Sequence, residues 1–167
     1  MFLIKKKFRI LIVCRANITR SAYLDGYFNK LLQDQYTHAR NRIEIVSAGI
    51  EARKGSTAHE VVKHVAQLNG FSLRNHQSNS ITRSIMKRVN VVLVMEQWQK
   101  DQLIKHYPFA KEKIFLLMEY LWYGSKEEIL EVPDPTGKNT DDYHEFINIA
   151  HQEADRILHE VYRKDIF

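Results

Sequence analysis

The chain of 167 residues holds one cysteine, three prolines and six glycines. A single Cys excludes an internal disulfide framework and a cysteine-rich zinc site, and it fits a reducing compartment. With so little Pro and Gly, and with 44% hydrophobic and 27% charged residues, collagen-like, low-complexity and disordered chains are excluded as well. Long apolar runs are also missing: Phe2, Leu3 and Ile4 give way at once to Lys5, Lys6 and Lys7. No stretch reaches signal-peptide or membrane-span length, and a cytoplasmic location is the default expectation. The eight histidines form no pair at i, i+4 with a third ligand, so no metal site is expected.

What is present suits one domain over residues 1–167 with one core. The net charge of +5 would favour an anionic partner, but the basic residues are scattered among 20 acidic ones. No nucleic-acid partner is expected, and Lys5–Lys7 reads as a charged lead-in to a strand.

Phe8 to Val13 (FRILIV) is apolar on both faces, the signature of a strand buried in a parallel sheet, with Cys14 at its end. Tyr23, Leu24, Tyr27, Phe28, Leu31 and Leu32 then recur at helical spacing. Ile43 to Val46 reads as a second strand closed by Ser47-Ala48-Gly49, followed by a helix through Ala58, Val61, Val62, Val65, Ala66 and Leu68 that Asn69-Gly70 ends. Ile81, Ile85 and Met86 sketch another helix, Val91 to Met95 a third strand, Trp98 to His106 a helix and Ile114 to Leu117 a fourth strand. The last helix runs through Tyr143, Phe146, Ile147, Ala150, Ala154, Ile157, Leu158 and Val161, with Thr140 as N-cap. Strands that alternate with helices imply an α/β fold: an open, doubly wound sheet of four strands. Ligands bind such sheets at the carboxyl ends of strands, where a loop feeds a helix N-terminus, and Cys14 falls at such a place.

The segment Cys14-Arg15-Ala16-Asn17-Ile18-Thr19-Arg20-Ser21 puts a thiol and a guanidinium six positions apart at a helix entrance. A loop wrapping there points successive backbone N–H groups inward as an anion nest, and Arg20 offers a fork to two phosphate oxygens. The same positive field favours the thiolate, which would attack phosphorus, and Ser21 would hydrogen-bond the sulfur. Expelling an alkoxide or phenoxide needs an acid that later serves as base on water. Asp134, between Pro133 and Pro135 ahead of the last helix, is the candidate. Taken singly, each has an ordinary alternative: a buried thiol, a surface cation, a turn initiator. A cation at a helix N-terminus is nevertheless electrostatically misplaced unless an anion visits.

These residues resemble the low-molecular-weight protein tyrosine phosphatases, and the likeness covers most of the chain. It rests on the loop from Cys14 to Ser21, Ser47-Ala48-Gly49, His76 within Asn75-His76-Gln77-Ser78, Glu96 after the Val91–Met95 strand, and Asp134-Pro135. The resemblance implies a four-stranded parallel sheet with helices on both faces and a phosphate-binding loop after the first strand. It implies a cysteinyl-phosphate intermediate without metal or organic cofactor, a phosphotyrosine protein or small aryl phosphate as substrate, and inorganic phosphate as product. Cys14 would be nucleophile, Arg20 phosphate clamp, Asp134 acid then base, and Asn17, Ser21, Ser47 and His76 supports of the loop.

Departures from the family pattern are as informative. Thr19 stands in place of a second Cys, so Cys14 lacks a disulfide partner and should be sensitive to peroxide. Ala16 replaces a Gly, which would strain the loop if that position needs positive φ, and Ala22 replaces a Pro. Thr136-Gly137 follows where a pocket aromatic is usual, and Arg53 stands at another such position, so Arg15 and Arg53 would make the mouth basic. Ile18 occupies the position where a phosphoarginine-directed branch carries Thr. Arsenate reductases of this fold need further cysteines, which the chain lacks. Two alternatives remain: a weak phosphoprotein-binding module, against which Cys14, Arg20 and Asp134 argue, and a cysteine phosphocarrier, against which Arg20 and Asp134 argue.

Overall fold

The computed structural model describes residues 7–128 and 130–167. The apolar lead-in at Phe2–Ile4 and the lysines Lys5 and Lys6 lie outside the described residues, and Lys7 is exposed. Four strands, β1 (Phe8–Cys14), β2 (Ile43–Gly49), β3 (Val91–Val94) and β4 (Ile114–Leu116), form one sheet in the order β2-β1-β3-β4, all pairs parallel. Five α-helices connect and flank them: α1 (Arg20–Asp34), α2 (Glu60–Leu68), α3 (Arg83–Arg88), α4 (Gln97–His106) and α5 (Thr140–Arg163). The four-stranded α/β architecture expected from the sequence is the one observed.

Alternation along β1 explains the layers. Ile10, Ile12 and Cys14 face one core with α1, α2 and α5, while Leu11 and Val13 face a second with Met86, Leu103 and Ala110. Both faces are covered, so the strand reads as a continuous apolar run. After β2 the chain returns across β1 to build β3 on its other side, so the strand order reverses at the carboxyl end of β1. That switch point is where an open α/β sheet leaves a crevice, and the loop 15–19 fills its rim.

Several boundaries shift for physical reasons. β2 extends to Gly49 because its register pairs Cys14 with Gly49. Helix α2 starts at Glu60 because His59 caps it, accepting from Val61 N. The N-cap of α5 is Asn139, whose Oδ1 accepts from Asp142 N at 3.0 Å, and Thr140 is instead the first helical residue. A 3-10 turn at Pro108–Lys113, with Pro at its start, is an element the hydrophobic period does not reveal. Among the described residues, no helix is long and apolar enough to cross a membrane.

Candidate active site

The loop after β1 is moulded from outside. Ile50 N donates to Cys14 O at 3.1 Å and Glu51 N to Arg15 O at 2.8 Å, so the segment leaving β2 runs along its outer edge. A Cβ at Gly49 would lie 2.7 Å from Arg15 O and 2.8 Å from the Ala16 carbonyl carbon, which is why only glycine fits there. His59 N closes the far end on Ile18 O at 2.8 Å. The left-handed residue is Asn17, with φ of 56°. Ala16 has no positive φ, so the strain expected from its missing glycine does not arise.

Asn17 tolerates that conformation and uses every polar group it has. Its N–H points to Cys14 Sγ at 3.3 Å, its Nδ2 donates to Ser21 Oγ at 2.8 Å, and its Oδ1 accepts from Asn79 N at 2.9 Å. Its carbonyl accepts from His76 Nε2 at 2.7 Å, which fixes the proton on that ring nitrogen. Ser21 Oγ lies 3.1 Å from Cys14 Sγ. Because Asn17 already donates to that oxygen, the hydroxyl proton of Ser21 is left for the sulfur. Cys14 is buried.

Arg20 is the first residue of α1 and is 1% exposed. Its Nη1 donates to Val132 O at 2.8 Å and meets Glu96 Oε2 at 3.0 Å, and its Nη2 meets Asp134 Oδ2 at 2.8 Å. Two carboxylates thus answer a cation set against a helix N-terminus. Its Nε has no partner at all. A buried donor left unsatisfied costs about 1–3 kcal/mol, so this Nε is suited to an acceptor brought by a ligand.

Asp134 is brought there by a stiff loop. Val132 N docks on Met95 O at the end of β3, Pro flanks the Asp on both sides, and Lys138 N returns to Pro135 O. Thr136 N donates to Asp134 Oδ1 at 3.0 Å, and Thr136 Oγ1 to Thr19 Oγ1 at 2.9 Å, tying this loop to the cradle. Burial pushes the Asp134 carboxyl upward, but hydrogen bonds from Thr136 and the charge of Arg20 outweigh it and hold it below the usual carboxylate range. A groove of about 1290 Å³ runs past Asp134 and Glu96 toward Glu145 and Ile149 of α5.

Of this constellation Asp25 escapes sequence reasoning, and Glu96, one of the residues that carry the family resemblance, receives its role only from the structure. Glu96 has a local signal, a Glu-x-x-Gln pair at the start of α4: Gln99 Nε2 holds its carboxylate at 2.9 Å while Gln99 Oε1 accepts from Met95 N at 2.8 Å. Asp25 has none. It is partly buried against Ser47, whose Oγ donates to its Oδ2 at 2.7 Å, and desolvation raises its carboxyl despite opposing contributions from Ser47, His76 and Asn29. Ser47 therefore reaches the loop at one remove, through Asp25 and His76, whereas Asn17, Ser21 and His76 act on it directly. Arg15 and Arg53 are exposed. Among the described residues no three His, Cys, Asp or Glu side chains converge to hold a metal ion.

A buried thiol, a buried guanidinium with an orphaned donor and a carboxyl stand together at the carboxyl end of β1, the arrangement a cysteine-dependent phosphate site requires. Residues 9–166 match the family model for low molecular weight phosphotyrosine protein phosphatase. The low molecular weight protein-tyrosine-phosphatase Ptp of Acinetobacter johnsonii is 31% identical over 126 residues, 75% of this chain and 78% of the relative. The structure of the tyrosine phosphatase Wzb from Escherichia coli K30 in complex with sulphate is 25% identical, with a TM-score of 0.77 over 92% of this chain and 97% of that one. The arginine phosphatase YwlE from Geobacillus stearothermophilus shares the fold, with a TM-score of 0.82 at 24% identity over 95% and 96% of the two chains. The chain belongs to the low-molecular-weight protein-tyrosine-phosphatase family. It is a cysteine-dependent phosphatase of phosphoproteins, and the phosphocarrier and binding-module readings fall away.

Proposed function

We propose that the chain acts as one domain, in the cytoplasm, and hydrolyses phosphotyrosine esters in two steps through residues 14–21 and Asp134. The backbone N–H groups of Arg15, Ala16, Asn17, Ile18, Thr19 and Arg20, with the Arg20 side chain, bind the phosphate oxygens, and Ser21 steadies the sulfur. Cys14 Sγ attacks phosphorus and the ester P–O bond breaks. Asp134 gives its proton to the departing phenoxide, leaving a cysteinyl-phosphate. Asp134 then takes a proton from water, whose oxygen attacks phosphorus, and the P–S bond breaks to release inorganic phosphate and the thiolate. Asn17, His76, Asp25 and Ser47 hold the cradle in shape.

The unpartnered Nε of the buried Arg20 is the observation that carries this reading. It also suggests how Asp134 obtains its proton. While Arg20 and Thr136 hold its carboxyl low, Asp134 is ionised, and the arrival of a phosphate dianion on Arg20 offsets the cation and favours protonation. Binding and readiness for acid catalysis are then coupled through one guanidinium. Ile18 favours phosphotyrosine over phosphoarginine.

The test is hydrolysis of p-nitrophenyl phosphate between about pH 5 and 8, with Cys14→Ser as control, and phosphotyrosine and phosphoarginine peptides compared directly. Turnover that disappears in Cys14→Ser, with phosphate binding retained, supports the mechanism. Turnover that survives the substitution removes Cys14 from it, and faster release from phosphoarginine reverses the substrate assignment.

A further inference from the structure

An aryl phosphatase needs a surface for the ring as well as a cradle for the phosphate. Thr136, Gly137 and Lys138 beside Asp134, like Arg53, are exposed and carry no ring. Tyr143 stands beside Asp134 and Gly137 but is itself buried, whereas a second aromatic side chain meets the phosphate loop. The guanidinium carbon of Arg15, the residue after the nucleophile, lies over the Trp98 ring at 5.1 Å from its centroid. Trp98 is partly buried in the first turn of α4, two residues beyond the Glu96 that pairs with Arg20.

The other tryptophan shows what a purely structural pair looks like. Arg156 sits over Trp122 at 5.7 Å, but its guanidinium is committed to Glu153 and to the carbonyls of Leu117, Tyr120 and Leu121. Trp122 is tied in turn by Nε1 to Ser125 O. That pair anchors a loop. Among the described residues the Arg15 guanidinium makes no hydrogen bond, and it pairs with Glu51 only at 3.8 Å, with both side chains more than half exposed. Its backbone is pinned by Glu51 N, so the side chain alone is free to choose a partner.

We propose that Arg15 and Trp98 together form the wall that receives the aromatic ring of the substrate. The indole supports the guanidinium plane on one face, and the other face meets the tyrosyl ring, so a cation is stacked between two π systems. The proposal rests on the phosphatase reading and adds to it the residues that select aryl over alkyl esters. A guanidinium plane stacks on a ring and gains little from an alkyl chain, while its charge adds to the potential that draws the dianion in.

The test measures KM for phenyl phosphate and the inhibition constant for inorganic phosphate, which has no ring. Trp98→Ala and Arg15→Ala should each raise KM about tenfold, and the double variant little more than either single one, because each removes the same wall. The phosphate constant of Trp98→Ala should stay within about twofold, and Trp98→Phe should retain most of the affinity for phenyl phosphate. An unchanged KM in Trp98→Ala overturns the proposal. So does a parallel rise of KM and the phosphate constant, which would place Trp98 in the support of the cradle. Wild-type protein that binds phosphate but hydrolyses neither aryl nor alkyl ester fails at an earlier point, since it removes the phosphatase reading itself.

Discussion

Two loops meet across Arg20, and they are held in opposite ways. The loop after β1 is fastened along its length from neighbouring segments: Ile50, Glu51, His59, His76 and Asn79 all donate to it. The loop before α5 is held by Met95 at Val132, by Arg20 at Val132 and Asp134 and by one threonine pair, while its own prolines stiffen it and Thr136, Gly137 and Lys138 are exposed. The difference fits the tasks proposed for them. Donors that stabilise a phosphoryl group gain most when they need no rearrangement. An acid has to alternate between protonated and ionised forms, and Asp134 sits where a single cation partner can shift that balance.

The sharpest way to break the comparison is at the tightly held side. Cys14→Ser should lower p-nitrophenyl phosphate turnover by more than about 10,000-fold while phosphate binding persists, as calorimetry would show. Arg20→Lys keeps the charge but loses the fork and the orphaned Nε. Its kcat/KM should fall by about 1,000-fold in steady-state assays, and near-normal activity would mean a point charge suffices.

On the looser side, Asp134→Asn should slow phenyl phosphate by about 100-fold or more and p-nitrophenyl phosphate far less, because the better leaving group needs no proton. Equal losses for both esters would remove Asp134 as the acid. Thr136→Ala deletes one hydrogen bond between the loops and should cost only about 1 kcal/mol, visible as a small drop in denaturant midpoint.

The two buried-side carboxyls also oppose each other in pH dependence. The folded protein holds the Asp134 carboxyl low, so its contribution to stability is present above the unfolded carboxyl pKa and is lost as pH falls through the lower folded value. Asp25 is held high, so its contribution is complete below the unfolded value and is lost as pH rises through the folded one. Urea melts through the acid range should therefore show Asp134→Asn flattening the rise of stability with pH. Asp25→Asn should relieve a decline, and the same sign for both variants would contradict these environments.

Much of this was readable from residue patterns, and what was not has a common cause. The apolar run into Cys14, the helical periods and the Cys14–Arg20 spacing are local, and they yielded the sheet, the cradle and the family resemblance. Asn139 and Thr140 are both good caps standing side by side, and only backbone geometry chooses between them. Asp25 lies on α1 yet acts through Ser47 on β2 and faces His76 in a later loop, contacts that the sequence order does not announce. Trp98 carries a helical-face pattern like any packing residue, and its meeting with Arg15 exists only once β1 and β3 lie side by side. Residues that act through partners far along the chain leave no periodic trace.

Gly49 and the left-handed Asn17 mean that the cradle is complete before any ligand arrives. Its ordering entropy has been settled during folding, so little is left to lose on binding. On the proposed mechanism such a site would bind the ester and the released inorganic phosphate alike, since both present the same tetrahedral oxygens. Discrimination then falls to the ring and to the flanking protein chain. If the proposed chemistry holds, product inhibition by phosphate would be a built-in brake that couples the rate of this enzyme to the phosphate concentration around it.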